Sequence, residues 1–407
     1  MQREDHVTHL AAVGTYLPPW AESGSRRIGR DEDAVTLAVS AAQALVAQDA
    51  GVLAGVSRVV LVTRDLPLLD GGNGAALLAG LGLRADVPVV EQVGGAADAL
   101  AAVTGAAAGT LVVAVDAAPD APAGAAAALV GDTGAEIAGV GQVSRSLPVR
   151  TRDSQGATHN YDDPRLMRER GTALAISGLG LTAKPDLVAG LAPKLAAPLC
   201  AGRPEPLPTV GASSALFALA TAVAESSPVL VVATDQGSAS AVTVAGAAPV
   251  GRDEPGPLDV PTLRDNPGSE ISISLAAYER AFEPKLRWEA GKCDACGALA
   301  FPPRHRCLEC GSEDGWSLTP LPRLGTVYTG VTIHVPVPGL PTPYSLVIVE
   351  LDSVGVRALV KVTGAVAGSV QIDDRGELVL RRVAVRSGVP DYGYAFRPVA
   401  DANGVRA

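Results

Sequence analysis

Short apolar runs alternate with longer amphipathic or alanine-rich segments through residues 8–250. The runs are rich in valine and leucine without polar alternation, which is typical of strands buried on both faces of a sheet. They lie at residues 59–63, 111–115 and 229–233. The longer segments have the spacing of helices and lie at 33–48, 94–108 and 213–225. Strands that alternate with helices predict an α/β layered fold.

One helix–strand–strand unit occurs twice in this region. Residues 97–116 contain an alanine-rich helix, a turn and a strand that ends in aspartate, and residues 214–235 repeat the pattern. A strand of small residues follows each copy, at 124–131 and at 238–246. Two copies predict a duplicated α/β domain. Chance similarity between alanine-rich segments is the alternative explanation.

The pattern changes in the last third of the chain. Five aromatic residues lie before residue 282 and nine lie after residue 281. Short alternating strands then follow one another, at 325–335, 344–351, 357–363 and 377–386. Spacing of about ten residues with Gly and Pro turns predicts a small closed barrel. A stretch rich in Pro, Gly and charge at 251–267 is typical of a linker.

These changes predict four segments. An α/β domain occupies 1–255, with half-repeats at about 8–140 and 165–250, and is followed by a linker and helix at 256–287, a cysteine-rich segment at 288–320 and a barrel at 321–400. The 407 residues carry a net charge of −10, which argues against broad binding to nucleic acid or to anionic membranes. The sequence shows no apolar run of about 18 residues and no apolar leader, so we expect a protein that does not enter a membrane. Four of the five cysteines fall in one window and do not form a distributed disulfide framework, so we expect the reducing cytoplasm.

Four of the five cysteines lie in one window, as Cys293-x-x-Cys296 and Cys307-x-x-Cys310. Each pair can present two thiolates from a tight turn, and Gly297 and Gly311 follow where such a turn needs positive φ. Four thiolates at this spacing suit tetrahedral zinc, with iron as the alternative metal. Because four protein ligands leave no place for water, we expect the zinc to be structural.

The first 250 residues resemble the thiolase superfamily, within it the branch of hydroxymethylglutaryl-CoA synthase and ketoacyl synthase III. The segments that carry the resemblance are 12–18, 29–45, 122–131 and 229–246. The resemblance implies a five-layer α/β fold with duplicated halves and a dimer. It also implies acyl-CoA chemistry in which a cysteine thiolate takes the acyl group and His, Asn and Glu groups act on protons and the oxyanion.

Three positions of the family's catalytic set carry apolar residues in this chain. Val93 stands in the place of the nucleophilic cysteine, Leu191 or a neighbour in that of the histidine, and Ala212 in that of the asparagine. Cys200 lies in a predicted loop rather than at a helix N-terminus, where the helix dipole would lower the thiol pKa. We therefore predict a condensing site that has lost its chemistry.

Three polar residues remain as candidates for catalysis. Asp65 follows the strand at 59–63, near the place where the synthase branch keeps a carboxylate base. His159 and Tyr161 belong to the densest polar cluster of the domain, ahead of a charged run at 165–170 that we predict to be helical. Solvated loop positions explain all three equally well.

The second part resembles a zinc ribbon followed by an OB-fold, a pair of domains found beside thiolases and fused to them. The matching pieces are 288–297, 301–311, 325–329, 343–351 and 391–398. The resemblance implies acyl-CoA as the ligand, and its phosphates need cations, for which the candidates are Arg304, Arg306, Arg381 and Arg382. A nucleic-acid interface would need a basic groove with stacking aromatics, and this part carries about equal numbers of acids and bases.

Two functions from different classes follow. The preferred one is a non-catalytic thiolase-fold protein that binds a CoA thioester, or acts as a scaffold for an acyl-CoA condensing or cleaving enzyme, as a homodimer or a heteromer. The alternative is an active enzyme that forms or breaks a C–C bond of an acyl-CoA without covalent catalysis, an aldolase or a synthase-like acyltransferase. It would use Asp65, His159 or Tyr161 as the base and backbone N–H groups as the oxyanion site.

Overall fold

The computed structural model describes residues 8–147, 150–152, 157–161, 163, 165–268, 282–386 and 388–399. The chain forms two compact units. Unit 1 comprises residues 1–18, 22–28 and 33–256, and unit 2 comprises residues 19–21, 29–32 and 257–407. Within the described residues, the helices are too short or too polar to cross a membrane.

The elements up to residue 253 are, in chain order, β1 (Thr8–Tyr16), β2 (Trp20–Glu22), β3 (Ser25–Arg26), α1 (Ala34–Val46), β4 (Arg58–Thr63), α2 (Gly74–Leu81), β5 (Val89–Val93), α3 (Ala96–Thr104), β6 (Thr110–Asp116), β7 (Gly124–Gly131), β8 (Ala135–Ser144), β9 (Arg150–Arg152), β10 (Thr158–Asn160), a π-helix (Leu166–Thr172), α4 (Ala173–Gly178), β11 (Leu187–Ala189), α5 (Pro193–Ala196), a 3₁₀ turn (Ala197–Leu199), α6 (Ala212–Ala222), β12 (Val229–Asp235), β13 (Ser238–Ala245) and β14 (Val250–Asp253).

Unit 1 is built in five layers. Its strands run in the order β11-β12-β13-β8-β1-β7-β6-β4-β5, and the short pairing of β1 with β8 joins two half-sheets. Helices α3 and α6 pack against each other and against strands of both half-sheets. Helices α1 and α2 cover one outer face, and α4 packs on β8, β12 and β13 of the other. The predicted α/β class and layering are confirmed.

The two halves repeat one another. Helix α3 leads into the antiparallel pair β6–β7, and α6 leads into the antiparallel pair β12–β13. The copies are those predicted from the sequence pattern, and the two helices meet at the centre of the unit. Because the pattern recurs both in sequence and in pairing, chance similarity is excluded as its explanation.

Small side chains allow the layers of unit 1 to pack closely. A Cβ added to Gly14 in β1 would lie 2.2 Å from the carbonyl oxygen of Ala41 in α1. Strand β7 is alanine from Ala125 to Ala128, and all four residues are fully buried. A core of Ala, Val and Leu therefore brings helix and sheet backbones together, which explains how the unit folds with few aromatic residues.

Unit 2 contains β15 (Leu258–Asp259), β16 (Glu289–Cys293), β17 (Leu299–Ala300), β18 (Trp316–Pro320), β19 (Leu324–Ile333), β20 (Tyr344–Leu351), β21 (Arg357–Lys361), β22 (Arg375–Arg386) and β23 (Val389–Pro398). Residues 282–287 are helical. Strands β17-β16-β18 form the ribbon, and β21-β20-β19-β22-β23 form the five-stranded sheet of the OB-fold. The sheet closes where the Thr363 N–H donates to the Phe396 carbonyl (2.9 Å).

Two details differ from the sequence expectations. Strand β23 was not predicted, because its residues 391–396 are buried consecutively and give no alternation of polar and apolar positions. The stretch at 251–267 is partly ordered: β14 pairs with β1, and β15 pairs with Trp20 and Ala21. Residues 269–281 of the predicted linker and helix lie outside the described residues.

Candidate functional site

The resemblance predicted the nucleophile position at Val93, which directly precedes the N-terminal end of α3. Val93 ends β5 with 68% of its surface exposed, and Gly95 is the residue that caps α3. The Asp235 carboxylate lies over this end, since a Cβ on Gly95 would come 2.5 Å from its Oδ2. Arg64, just after β4, forms an ion pair with Asp235. An internal carboxylate with its own cation therefore occupies the positive end of α3.

Helix α6 is arranged in the same way. The Asp116 carboxylate, at the end of β6, accepts hydrogen bonds from the N–H groups of Ala212 (2.8 Å) and Ser213 (3.1 Å) and from the Ser213 hydroxyl (2.6 Å). Gly211 caps the helix, and a Cβ there would lie 1.9 Å from Asp116 Oδ1. Burial raises the pKa of Asp116, against the lowering effect of its hydrogen bonds with Ser213 and Thr209.

The third predicted slot lies beside both helices. Gly190, directly after β11, donates its N–H to the Ser214 hydroxyl in α6 (3.0 Å), and a Cβ on it would lie 3.0 Å from the Ala96 Cβ in α3. Leu191 follows and lines a cavity of about 110 Å³ that also contacts Cys200. This volume is below the roughly 300–1,000 Å³ typical of small-molecule sites. The three positions predicted for the catalytic cysteine, histidine and asparagine therefore lie around the N-termini of α3 and α6. They carry the side chains of Val93, Leu191 and Ala212.

This arrangement limits the chemistry that the centre of unit 1 can perform. A thiolate and a general base are both missing from the slot positions, which carry only hydrocarbon side chains. The helix N-termini that could stabilise an oxyanion are already occupied by the side chains of Asp235 and Asp116. Cys200 is 5% exposed, and burial raises the pKa of its thiol, which disfavours the reactive thiolate.

Asp116 and Asp235 lie at the centre of unit 1, and sequence reasoning did not single them out. Both end the repeated strand, Asp116 in the first copy and Asp235 in the second. Each lies at the N-terminus of the central helix of the other copy. The sequence shows an aspartate at the end of each repeated strand. It does not show which helix that aspartate contacts, because the helix belongs to the other copy of the repeat.

The three predicted catalytic candidates lie in different surroundings. Asp65 accepts a hydrogen bond from the Ala117 N–H (3.0 Å) and is half-buried. His159 lies on β10, opposite Thr151 of β9, and is exposed. Tyr161 is 62% exposed. A catalytic role for any of them stays a prediction.

The four ribbon cysteines converge. Their sulfur atoms all lie within 4.8 Å of one another, with 3.7 Å between Cys293 and Cys310 and 3.6 Å between Cys296 and Cys307. Tetrahedral zinc with Zn–S bonds of about 2.3 Å requires S–S separations of about 3.8 Å, so the donor set fits the metal. The expected turns are present, since Gly297 and Gly311 both have φ of +77°.

Local backbone groups prepare one of these thiols for a metal. The N–H groups of Cys310 and Glu309 point at the Cys307 sulfur and lower the pKa of Cys307 to about 7. Because the thiolate is the metal ligand, such N–H donors favour binding. Cys293 and Cys307 are buried, whereas Cys296 and Cys310 are exposed.

An aromatic cluster joins the ribbon to the OB-fold inside unit 2. Trp288, 2% exposed, lies directly before β16, and its ring centroid is 4.7 Å from Phe301 and 4.9 Å from Tyr394. The Trp288 indole N–H donates to the Pro322 carbonyl (3.0 Å). The metal loop and strand β23 therefore share one packed contact.

The prediction that Arg381 binds a phosphate is wrong. Arg381 is 1% exposed, and its guanidinium pairs with Glu32 (3.1 Å) and donates to the Thr363 hydroxyl (3.2 Å). The Arg382 guanidinium donates to the Arg30 carbonyl (2.9 Å). Burial of Arg381 makes it structural, because a phosphate could reach it only by displacing Glu32. Arg304 and Arg306 are exposed.

The described geometry of unit 2 is that of a zinc-ribbon and OB-fold protein. Two family models match it: the rubredoxin-like zinc ribbon domain of ChsH2 at residues 283–314 and the C-terminal OB-fold domain of ChsH2 at residues 318–381. The chain belongs to this family of zinc-ribbon and OB-fold proteins.

Curated relatives match the same part of the chain. A benzoylsuccinyl-CoA thiolase subunit BbsA from Thauera aromatica is 34% identical over 109 residues, which are 26% of this chain and 74% of the relative. A DUF35 domain-containing scaffold protein from Methanocaldococcus jannaschii is 31% identical over 112 residues, 26% of this chain and 79% of the relative.

Unit 1 is similar to solved structures. The HMG synthase of the curacin biosynthetic pathway, in complex with holo donor-ACP, covers 59% of this chain and 81% of its own length. The TM-score is 0.46 and the sequence identity is 13%. The described layers and the half-repeats themselves define the fold of unit 1.

Proposed function

We propose that this protein is a non-catalytic, acyl-CoA-associated subunit that acts as a scaffold for a catalytic thiolase, synthase or aldolase subunit. The observation that carries the proposal is the centre of unit 1. Its three slots are apolar, and Asp235 and Asp116 occupy both central helix N-termini. A relative of unit 2 named as a thiolase subunit and another named as a scaffold protein support the same role.

An exposed sheet edge supports pairing with another chain. Strand β5 pairs with β4 alone in the described sheet and presents half-buried Val89 and Val90 beside exposed Val93. Leu69 is 69% exposed, and the Asn73 side chain a few residues further on donates to the Glu91 carboxylate of β5 (2.6 Å). An unprotected apolar edge strand is a template for association, so this edge suits a homodimer or a heteromer.

The ribbon has a structural part in this proposal. Cys293, Cys296, Cys307 and Cys310 hold one zinc ion, and closed four-thiolate coordination leaves no position for substrate. The metal orders a segment with a small core and, through Trp288, fixes it against the OB-fold. CoA thioesters are the proposed ligand, and the cytoplasm is the proposed compartment.

The experiment that tests the proposal reconstitutes the complex. Tagged full-length chain is isolated from its source cells with the proteins bound to it, and a thiolase-fold subunit is identified and purified separately. We expect acyl-CoA condensation or cleavage to require the partner and to increase when this chain is added. Turnover by this chain alone, or an active partner unaffected by it, would contradict the scaffold role.

A further inference from the structure

The charges of unit 1 are unevenly distributed along the sequence. Residues 65–144 contain one basic side chain and nine acidic ones. Residues 145–170 contain six arginines and four acidic side chains. In a chain with a net charge of −10, this short segment is a local concentration of positive charge.

The fold gathers this segment around one turn, at Gln236 and Gly237 between β12 and β13. The Arg145 N–H donates to the Gly237 carbonyl (3.0 Å), and the Arg145 guanidinium donates to the Arg170 carbonyl. The Arg150 N–H donates to the Gln236 side chain (3.0 Å). Parts of the chain separated by 86 residues thus form one surface.

The arginines on this surface face solvent. We call Arg145, Arg150, Arg165, Arg168 and Arg170 the arginine patch, and all five are exposed. Arg165 pairs with Asp163 and Arg168 with Glu169, at 72% and 57% side-chain exposure. Among the described residues, the guanidinium groups of Arg150 and Arg170 have no ion-pair partner. Water screens pairs as exposed as these, so the arginines can exchange to a new carboxylate at little cost.

Two further features distinguish the patch from a merely solvated surface. Arg168 and Arg170 lie on the π-helix Leu166–Thr172, a conformation that is rare and frequently found at functional sites. Exposed apolar side chains stand among the arginines, with Tyr161 at 62%, Met167 at 36% and Leu174 at 39%. Arginine with tyrosine and methionine is the composition typical of protein interfaces.

We propose that the arginine patch is the docking surface for an acidic protein surface. A small phosphorylated ligand needs a concave site, whereas these arginines stand exposed along a helix and a two-stranded ribbon. Gln236, to which the Arg150 N–H donates, directly follows Asp235 in the chain. The inference rests on the proposed function in one respect, because it takes the occupant to be an associating protein subunit.

Fluorescence anisotropy of labelled poly-L-glutamate with the full-length chain at low salt tests this directly. The patch variant is Arg168→Glu/Arg170→Glu. The matched control is Arg58→Glu/Arg203→Glu, which reverses two exposed arginines of unit 1 outside the patch and changes the net charge equally. Circular dichroism verifies that both variants are folded. Free CoA is titrated in parallel as the small-phosphate probe.

We expect the wild-type chain to bind poly-L-glutamate with an affinity that falls as salt rises. The dissociation constant should rise at least about tenfold in the patch variant and change by less than about twofold in the control. Absent binding, or equal losses in both variants, would overturn the inference. So would a patch variant that loses CoA binding while it keeps poly-L-glutamate. None of these results depends on whether acyl-CoA turnover requires a partner.

Discussion

At the scale of single residues, a buried ion pair holds an N-terminal segment within unit 2. Glu32 and Arg381 are 2% and 1% exposed in their side chains and pair at 3.1 Å. Glu32 also accepts the Gly29 N–H (2.7 Å), and the Arg382 N–H donates to the Asp31 carbonyl (2.8 Å). The segment 29–32 is therefore an integral part of the C-terminal unit, although it precedes it by more than 200 residues.

The Arg381→Met substitution should destabilise the protein strongly. It leaves the Glu32 carboxylate buried without its cation, and breaking such a pair costs about 3–5 kcal/mol. The double variant Glu32→Gln/Arg381→Met removes both charges and should recover most of that loss. Urea denaturation of the three proteins measures the difference. A single variant within about 1 kcal/mol of wild type would show that the pair is solvated.

Asp116 gives a pH dependence of defined sign. Burial raises its pKa, so the folded chain retains a proton that the unfolded chain has lost. Relative to Asp116→Asn, wild-type stability should therefore fall as pH rises from about 4, the ordinary aspartate value, through the raised pKa. Chemical denaturation of both proteins across pH 4–8 measures this difference. A difference that grows in favour of wild type with pH would mean that α6 instead holds an ionised carboxylate.

At the scale of elements, the sequence pattern predicted most helices and strands, because apolar runs and alanine-rich segments have distinct periods. It predicted β7 as residues 124–131, and the ribbon glycines with positive φ. It missed β23, in which Gly393 and Ala395 rather than polar residues alternate with the aromatic side chains. It also could not place Asp116, Asp235 or Glu32, since their partners lie more than 90 residues away in sequence.

The close contact between Gly211 and Asp116 allows a test of how α6 begins. Gly211→Ala would place a Cβ 1.9 Å from Asp116 Oδ1, so the carboxylate must leave the helix end. Loss of the cap and of the buried hydrogen bonds of the Asp116 carboxyl group should cost at least about 2 kcal/mol. Gly202→Ala is the matched control, because open space surrounds that position. Equal melting temperatures for both variants would contradict the packed cap.

The ribbon makes the second test at this scale. Cys296→Ser removes one exposed thiolate from the four, and we expect zinc content near one ion per chain in wild type and near zero in the variant. Because Trp288 packs against both ribbon and OB-fold, its emission should shift to longer wavelength when the metal is lost. Cys200→Ser is the control and should keep its zinc. Full zinc in the Cys296→Ser variant would refute the four-ligand site.

At the scale of the whole molecule, unit 1 is a layered α/β fold whose centre holds the Arg64–Asp235 ion pair, the buried Asp116 side chain and hydrocarbon side chains. Unit 2 belongs to a family whose members include a thiolase subunit and scaffold proteins. An exposed edge at β5 and the arginine patch offer surfaces for other chains. These two surfaces are the features that the proposed role in assembly requires.

The most direct test uses the isolated, zinc-loaded chain with a panel of acyl-CoAs and free CoA. Calorimetry measures binding, and mass spectrometry detects acyl transfer to the protein or cleavage of the acyl chain. We predict binding of CoA thioesters with no adduct on Cys200 and no turnover. An acylated protein or a cleaved acyl chain would contradict the account, and substitutions of Asp65, His159 and Tyr161 would then identify the group that moves the proton.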